Sequence, residues 1–423
     1  MHRHSHMPGV RTALALAVSA FACTPAARAA PGDALAPSFT IDTVGYFETR
    51  TTLVHDAAGN FLVVYQVDGR PLPIIKGQLF SAAGVARGAP FTVVVNGTLP
   101  TAAMNAAGDF VISWMMPQGA SDHLYTQRYS AAGAAIGAPI DLNTRSNVYD
   151  DAVAMDGSGD FALTWSQEWQ IELPDGLPYG GLSLGASSVR AQRYSHDGSA
   201  LGVRMLVDLS LTNPTPISGN FNPPQVAVAA DAAGDLVFAW TDPFLPGRQA
   251  VRAHRYNANG TAAGLVLRVS PLAQSTVQYP SVAMDGDGDF AVGWTVPHSN
   301  GTVLHPSSSG YDLYTQRFTR AGKASGSAVR VSQDVVIEAP ALAMDSAGNF
   351  AFAWIGTPSF CCVPRSLRLQ AYGSTGTALG GNVALSADTD SGLGPLGLTT
   401  SAGNLVLVWD NNGTLQGQLL AGP

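Results

Sequence analysis

Asp345-Ser346-Ala347-Gly348-Asn349-Phe350-Ala351-Phe352-Ala353-Trp354 is one of seven versions of a single pattern in this chain. The pattern is a turn, in its commonest form Asp-x-x-Gly-(Asp/Asn), then an apolar residue, then an aromatic one four places on. The other versions are Gly59-Asn60-Phe61 to Tyr65, Gly108-Asp109-Phe110 to Trp114 and Gly159-Asp160-Phe161 to Trp165. Gly234-Asp235-Leu236 to Trp240, Gly288-Asp289-Phe290 to Trp294 and Gly403-Asn404-Leu405 to Trp409 complete the set. A period of roughly 50 residues built from strand-like segments points to a solenoid or a propeller. Alternate residues of a strand face opposite sides, so Phe350, Phe352 and Trp354 share one face and Ala351 and Ala353 the other. Phe290 to Trp294 and Phe161 to Trp165 repeat that asymmetry. A bulky face can pack on the small-residue face of the next unit at native density. A lone unit cannot bury both.

Each unit carries a second mark, usually Gln-Arg-aromatic. The copies are Gln78-Leu79-Phe80, Gln127-Arg128-Tyr129, Gln192-Arg193-Tyr194, Gln316-Arg317-Phe318 and Gln370-Ala371-Tyr372, with His254-Arg255-Tyr256 and Gln418-Leu419-Leu420 as variants. A glycine turn and another strand follow in most units, making four strands per unit. The seventh unit stops at Pro423 after its third strand. Near the other end, Ala36-Pro37-Ser38-Phe39-Thr40-Ile41 resembles the outer strand Ala89-Pro90-Phe91-Thr92-Val93. It is expected to pair into the last unit and remove an open edge. The expected fold is therefore all-β: a seven-bladed β-propeller of four-stranded antiparallel blades over residues 30–423, closed by the N-terminal strand.

Residues 1–29 read as a secretory signal peptide. Arg3 and Arg11 precede an apolar run from Ala13 to Ala22, and Ala27-Arg28-Ala29 fits the small-residue cleavage rule. A lipoprotein acylated at Cys23 is the alternative. The expected location is secreted or periplasmic, with no transmembrane segment. The chain has 22 Lys and Arg against 30 Asp and Glu, and its only lysines are Lys76 and Lys323. With no basic patch, nucleic acid is disfavoured as a partner. After cleavage two cysteines remain, the adjacent Cys361 and Cys362. A strained vicinal disulfide, free thiols and bridges to another chain all stay open.

Links from second to third strand, and from unit to unit, emerge on one face of such a ring. They are long and varied here, so a site is expected on that face near the channel mouth. Its candidate binding residues are Trp169, Tyr179, Tyr279, Tyr311, Glu168, Asp175 and Asp312, joined by Glu172, Asp150, Asp151, Asp242, Glu338, Phe244, Phe360, His298 and His305. Aromatic rings among carboxylates suit sugar recognition. Asp285, Asp287 and Asp289 alternate as calcium ligands would. The same frame recurs at Asp156 and Asp231, however, where Asp and Gly serve a turn. No cofactor besides calcium is implied. Asn96, Asn259, Asn300 and Asn412 each open Asn-Gly-Thr, formally a glycosylation signal but also a favoured hairpin turn. His-Glu-x-x-His and phosphate-loop motifs are missing.

The unit Asp-x-x-Gly-(Asp/Asn)-Phe-x-x-x-Trp with its following Gln-Arg-Tyr resembles a repeat of secreted bacterial β-propeller proteins. The resemblance implies the fold and carries no activity with it. The chain departs from WD repeats, in which Trp409-Asp410 would be its one such dipeptide, and lacks the sialidase Asp-box. Three readings of function follow. The first is a monomeric binding module for a glycan or an extracellular protein. The second is a polysaccharide-acting enzyme using carboxylates such as Glu168, Glu172 or Asp175. The third is an envelope scaffold.

Overall fold

The computed structural model describes residues 29–45, 50–118, 121–142, 144, 148–172, 183–211, 224–245, 248–271, 277–298, 310–336, 339–357, 365–387, 393–401 and 403–423. Among them every regular element is a strand. After β1 (Phe39–Thr43), the first unit holds β2 (Thr51–His55), β3 (Phe61–Val67), β4 (Ile74–Phe80) and β5 (Phe91–Val95). The second holds β6 (Thr98–Met104), β7 (Phe110–Gln118), β8 (Ser121–Tyr129) and β9 (Ala135–Asp141). The third holds β10 (Val148–Met155), β11 (Phe161–Glu172), β12 (Ser183–Tyr194) and β13 (Ala200–Leu211). The fourth holds β14 (Val226–Ala230), β15 (Leu236–Leu245), β16 (Arg248–Tyr256) and β17 (Leu267–Arg268). The fifth holds β18 (Gln278–Met284), β19 (Phe290–Pro297), β20 (Tyr311–Phe318) and β21 (Ala324–Arg330), and β22 (Val335–Val336) follows. The sixth holds β23 (Ala341–Met344), β24 (Phe350–Thr357), β25 (Ser366–Tyr372) and β26 (Ala378–Ala387), the seventh β27 (Leu393–Ser401), β28 (Asn404–Asn411) and β29 (Thr414–Ala421).

Units one to four are separate four-stranded antiparallel sheets in chain order. Units five and six depart from the expected separation. The buried pair Val335-Val336 of β22 bridges β20 and β24, and the two units become one nine-stranded sheet. In the seventh unit β1 pairs antiparallel with β29 and supplies a fourth strand. Its register repeats that of the first unit. Phe39 lies opposite Gly417 as Phe91 lies opposite Gly77, and in both places the ring fills the space a Cβ would need. Gln418 Nε2 also donates to Ala36 O at 3.4 Å.

Two interactions make the units stack. Each core cluster joins the bulky face of one second strand to the small face of its predecessor. Phe350, Phe352 and Trp354 pack on Ala291 and Leu313, while Ala351 and Ala353 meet Leu405, Leu407 and Trp409. The seventh and first units join in the same way, with Val406 and Val408 against Phe61, Val63 and Tyr65. First strands pack side by side along the chain, and β27 packs on β2.

The sequence marks have local causes. The turn Asp accepts from two backbone amides: Asp285 Oδ1 from Asp287 N (3.0 Å) and Asp289 N (2.9 Å). The residue after Gly then caps the third-to-fourth-strand turn, as Asp289 Oδ1 accepts from Arg320 N at 2.7 Å. Gln Nε2 of the second mark donates to carbonyls of the outer strand, Gln127 to Ile136 O and Gly137 O for example. His254 takes over that task through Nε2 and Gly264 O at 3.2 Å. The adjacent Arg reaches the next unit: Arg128 Nη1 donates to His196 O at 2.6 Å, and Arg193 and Arg255 bond Ala258 O and Arg320 O likewise.

Gly293 lies under Phe352 of the next unit, where an added Cβ would come within 2.5 Å of the ring and 2.7 Å of Ser281 Oγ. Gly293→Ala is expected to cost about 1–3 kcal/mol by overpacking, read as a lowered midpoint in chemical denaturation. An unchanged midpoint would refute this account of the interface.

Candidate functional site

First strands begin irregularly. Ladder register slips at Thr98/Thr101, Val148/Asp150, Gln278/Ser281 and Leu393/Leu396, which frees Leu99, Tyr149, Tyr279 and the stretch before Leu396 from regular pairing. Bulges of this kind re-aim side chains. Leu99 and Tyr279 both take a left-handed conformation at φ 52°, and a proline follows each. Such geometry costs roughly 1–3 kcal/mol and persists only where its surroundings hold it. A glutamine carbonyl does so in both cases. Leu99 N donates to Gln66 Oε1 at 3.3 Å, and Tyr279 N to Gln225 Oε1 at 2.6 Å.

These strand ends surround a cavity of about 650 Å3. All seven units contribute, from Arg50 and Thr51 in the first and Leu99 in the second to Leu396 in the seventh. Tyr149 and Tyr279 supply aromatic surface, and Gln225, Gln249 and Gln278 supply amides. Among the described residues charge is confined to one pair. Arg50 Nη1 donates to Asp150 Oδ1 at 2.9 Å, and its Nη2 to Asp151 O at 3.1 Å. The second oxygen of Asp150 accepts from Val226 N at 2.8 Å. The bonds tie the first, third and fourth units together across the cavity.

Behind Asp150, the Asp151 side chain is fully buried. Its Oδ2 accepts from Thr101 Oγ1 at 2.9 Å and Ser113 Oγ at 2.7 Å, while Oδ1 has no partner among the described residues. Burial pushes its pKa up to about 6, against the opposing pull of Arg50.

Of the residues anticipated from sequence, Tyr279 and Asp150 lie on the cavity wall. Tyr311 stands behind Tyr279, their rings edge to face at 5.7 Å, and its hydroxyl donates to Gln278 Oε1 at 3.0 Å. Glu168 reaches the wall only through a hydrogen bond with Tyr149, and burial raises its pKa. Asp312 is occupied elsewhere, by His298 Nδ1 and Arg330 Nη2, each at 2.7 Å. Tyr179, Asp175, Cys361, Cys362, Glu338, Phe360 and His305 lie outside the described residues, and of Trp169, Glu172 and Phe244 only the backbone is described. Asp285, Asp287 and Asp289 form the same turn as Asp231 and Asp345, with the Asp285 Oδ1 lone pairs turned to amides. Among the described residues no three His, Cys, Asp or Glu side chains converge as a metal site. Arg50, Gln225 and Gln278 escaped the sequence reading. Their one signal was position: each lies at or just before the start of a first strand.

No family model and no curated protein matches this chain. Solved structures give weak likenesses. A Penicillium chrysogenum alpha-L-arabinanase is 13% identical, covers 77% of this chain and 93% of its own, and has a TM-score of 0.49. A PL25 ulvan lyase is 12% identical, with 90% and 96% covered and a TM-score of 0.48. A chain of a mitotic checkpoint complex scores the same 0.48 at 9% identity, with 97% and 98% covered. Proteins so different by name at one level of likeness carry no function to this chain.

Asp151 yields a prediction on pH. Its folded-state pKa lies above the unfolded value, so its favourable contribution is complete below the unfolded pKa of 3.8 and is lost as pH rises through about 6. The change corresponds to about 3 kcal/mol. Urea denaturation at pH 4 and pH 7 should show that loss in the parent chain. Asp151→Asn should flatten the difference between the two pH values.

Proposed function

We propose that this chain is a seven-bladed propeller, closed by β1, that works outside the cytoplasm and binds carbohydrate in its axial cavity. The closure rests on the β1–β29 pairing and on the seventh-to-first-unit core. One observation carries the function: strand ends of all seven units converge on about 650 Å3 lined by two tyrosines, three glutamines and one Arg–Asp pair. The volume lies within the range of small-ligand sites, which are largely pre-formed and orient ligands by a few polar groups. Aromatic surface beside amides suits the apolar face and hydroxyl rim of a sugar.

Binding is favoured over hydrolysis on the same wall. General acid and base catalysis on a glycoside takes two carboxyl groups flanking the bond. Among the described residues Asp150 is the one carboxylate lining the cavity, and both its oxygens are engaged. Among the described residues a ligand there meets no second acid.

The purified chain on a glycan array, with calcium and again with a chelator, tests the reading. Sugar binding is expected in both conditions. Tyr279→Ala should weaken it by about tenfold, the value of one lost stacking contact of 1–1.5 kcal/mol. A silent array would overturn the proposal and leave a protein-binding scaffold. Closure has its own test: a chain without residues 30–43 leaves β29 as an open edge. It is expected to lose cooperative unfolding, and a parent-like melt would argue against a ring held by β1.

A further inference from the structure

One amide of the cavity wall is not free to turn either way. Gln225 Oε1 accepts from the backbone N–H of Tyr279, a group that can only donate, so this amide's orientation is fixed by chemistry. Gln278 Oε1 accepts from the Tyr311 hydroxyl. In both side chains the carbonyl oxygen is turned into the protein, and Nε2 is left with two N–H donors and no partner among the described residues. The two glutamines are neighbours, since Gln225 is bonded to the residue that follows Gln278. The charged pair has the same bias. Each oxygen of Asp150 already accepts one bond, from Arg50 and from Val226 N, which reduces what the carboxylate can offer a ligand's hydroxyl protons. Arg50 is the one cation lining the cavity among the described residues, and its side chain keeps about a third of its surface open.

We infer that the cavity selects a sugar bearing a carboxylate, a uronic acid, which the Nε2 groups of Gln225 and Gln278 grip together with the Arg50 guanidinium. The inference rests on the carbohydrate reading and narrows it. A carboxylate has acceptors alone, which match the amide and guanidinium donors of Gln225, Gln278 and Arg50; a hydroxyl also brings a proton that must find an acceptor. Hydrogen bonds in which the acceptor is ionised are also stronger than those between neutral groups. Asp150 does not exclude the anion, because Arg50 already balances its charge at 2.9 Å. Asp151 is separated from the cavity by burial, and its Oδ2 is capped by the Thr101 and Ser113 hydroxyls.

The test is an array of polyuronates (pectic, alginic, glucuronic and hyaluronic) printed beside the carboxyl-reduced form of each. The acidic member of at least one pair is expected to bind at least tenfold more tightly than its reduced partner. Gln278→Glu is the decisive variant. It keeps an acceptor for the Tyr311 hydroxyl and replaces the inward amide donors with a carboxylate, so acid binding should fall by thirtyfold or more. A thermal melt matching the parent chain shows that the variant is folded; should it not be, Arg50→Gln carries the same comparison. Equal binding of acid and reduced forms, or binding of neutral glycans alone, overturns the uronate inference and spares the carbohydrate reading. Binding to neither set overturns both.

Discussion

The second strand of every unit is buried on both faces, and everything else in this molecule follows from that constraint. Trp165, Trp240 and Trp354 have no solvent exposure, and neither do the alanines at Ala351 and Ala353 on the opposite side of one such strand. A four-stranded sheet of this kind exposes two apolar faces when alone, so each unit depends on both neighbours. A linear stack would leave its first and last faces in water. Val406 and Val408 instead cover Phe61 and Val63, the faces that a linear array would expose. Polar links reinforce the order. Aspartates at or just beyond outer strands bond the aromatic of the following unit: Asp208 to Trp240 Nε1 and Asp334 to Trp354 Nε1, both at 3.0 Å. Asp42 of β1 bonds the Tyr65 hydroxyl at 3.0 Å, so the N-terminal strand does for the first unit what outer strands do elsewhere.

Much of this was legible because it is local. The Asp-x-x-Gly turn is stated in five consecutive residues, and its hydrogen bonds span no more than four. Asn105 fulfils the same role with the same two acceptor bonds, which is why the pattern tolerates Asn. The displaced strand could be found because Phe39 and Phe91 solve one local problem, covering a glycine on the adjacent strand. Gln and His254 share the mark for a comparable reason: both present a ring or amide nitrogen to a backbone carbonyl ten residues on.

The site was legible only in outline. It was expected near the channel mouth, and most of the cavity's chemistry comes from residues that no motif joins. Arg50 and Asp150 are separated by 100 residues, and Thr101, Ser113 and Asp151 meet from two units. Of the long-loop carboxylates, Asp312 is an ion-pair partner of His298 and Arg330, whereas the glutamines lie on the cavity wall. Glutamine is an uninformative letter in sequence. It becomes informative when its oxygen is already taken and its donors must point elsewhere. The bridge at β22 was missed for a related reason, since two valines in a linker are too short a signal to read as a strand.

Strain and the geometry of the cavity wall are coupled at one place. Tyr279 is held left-handed before a proline, a conformation an unrestrained residue would leave. The group that holds it, Gln225 Oε1, belongs to the neighbouring unit. The same bond therefore fixes an aromatic wall, orients an amide donor and joins two sheets. A ligand entering such a cavity finds its partners already ordered, and less of its binding free energy goes into fixing side chains. The cavity wall is built from strand ends of different units, so its rigidity comes from the packing between them and no single unit could have fixed it.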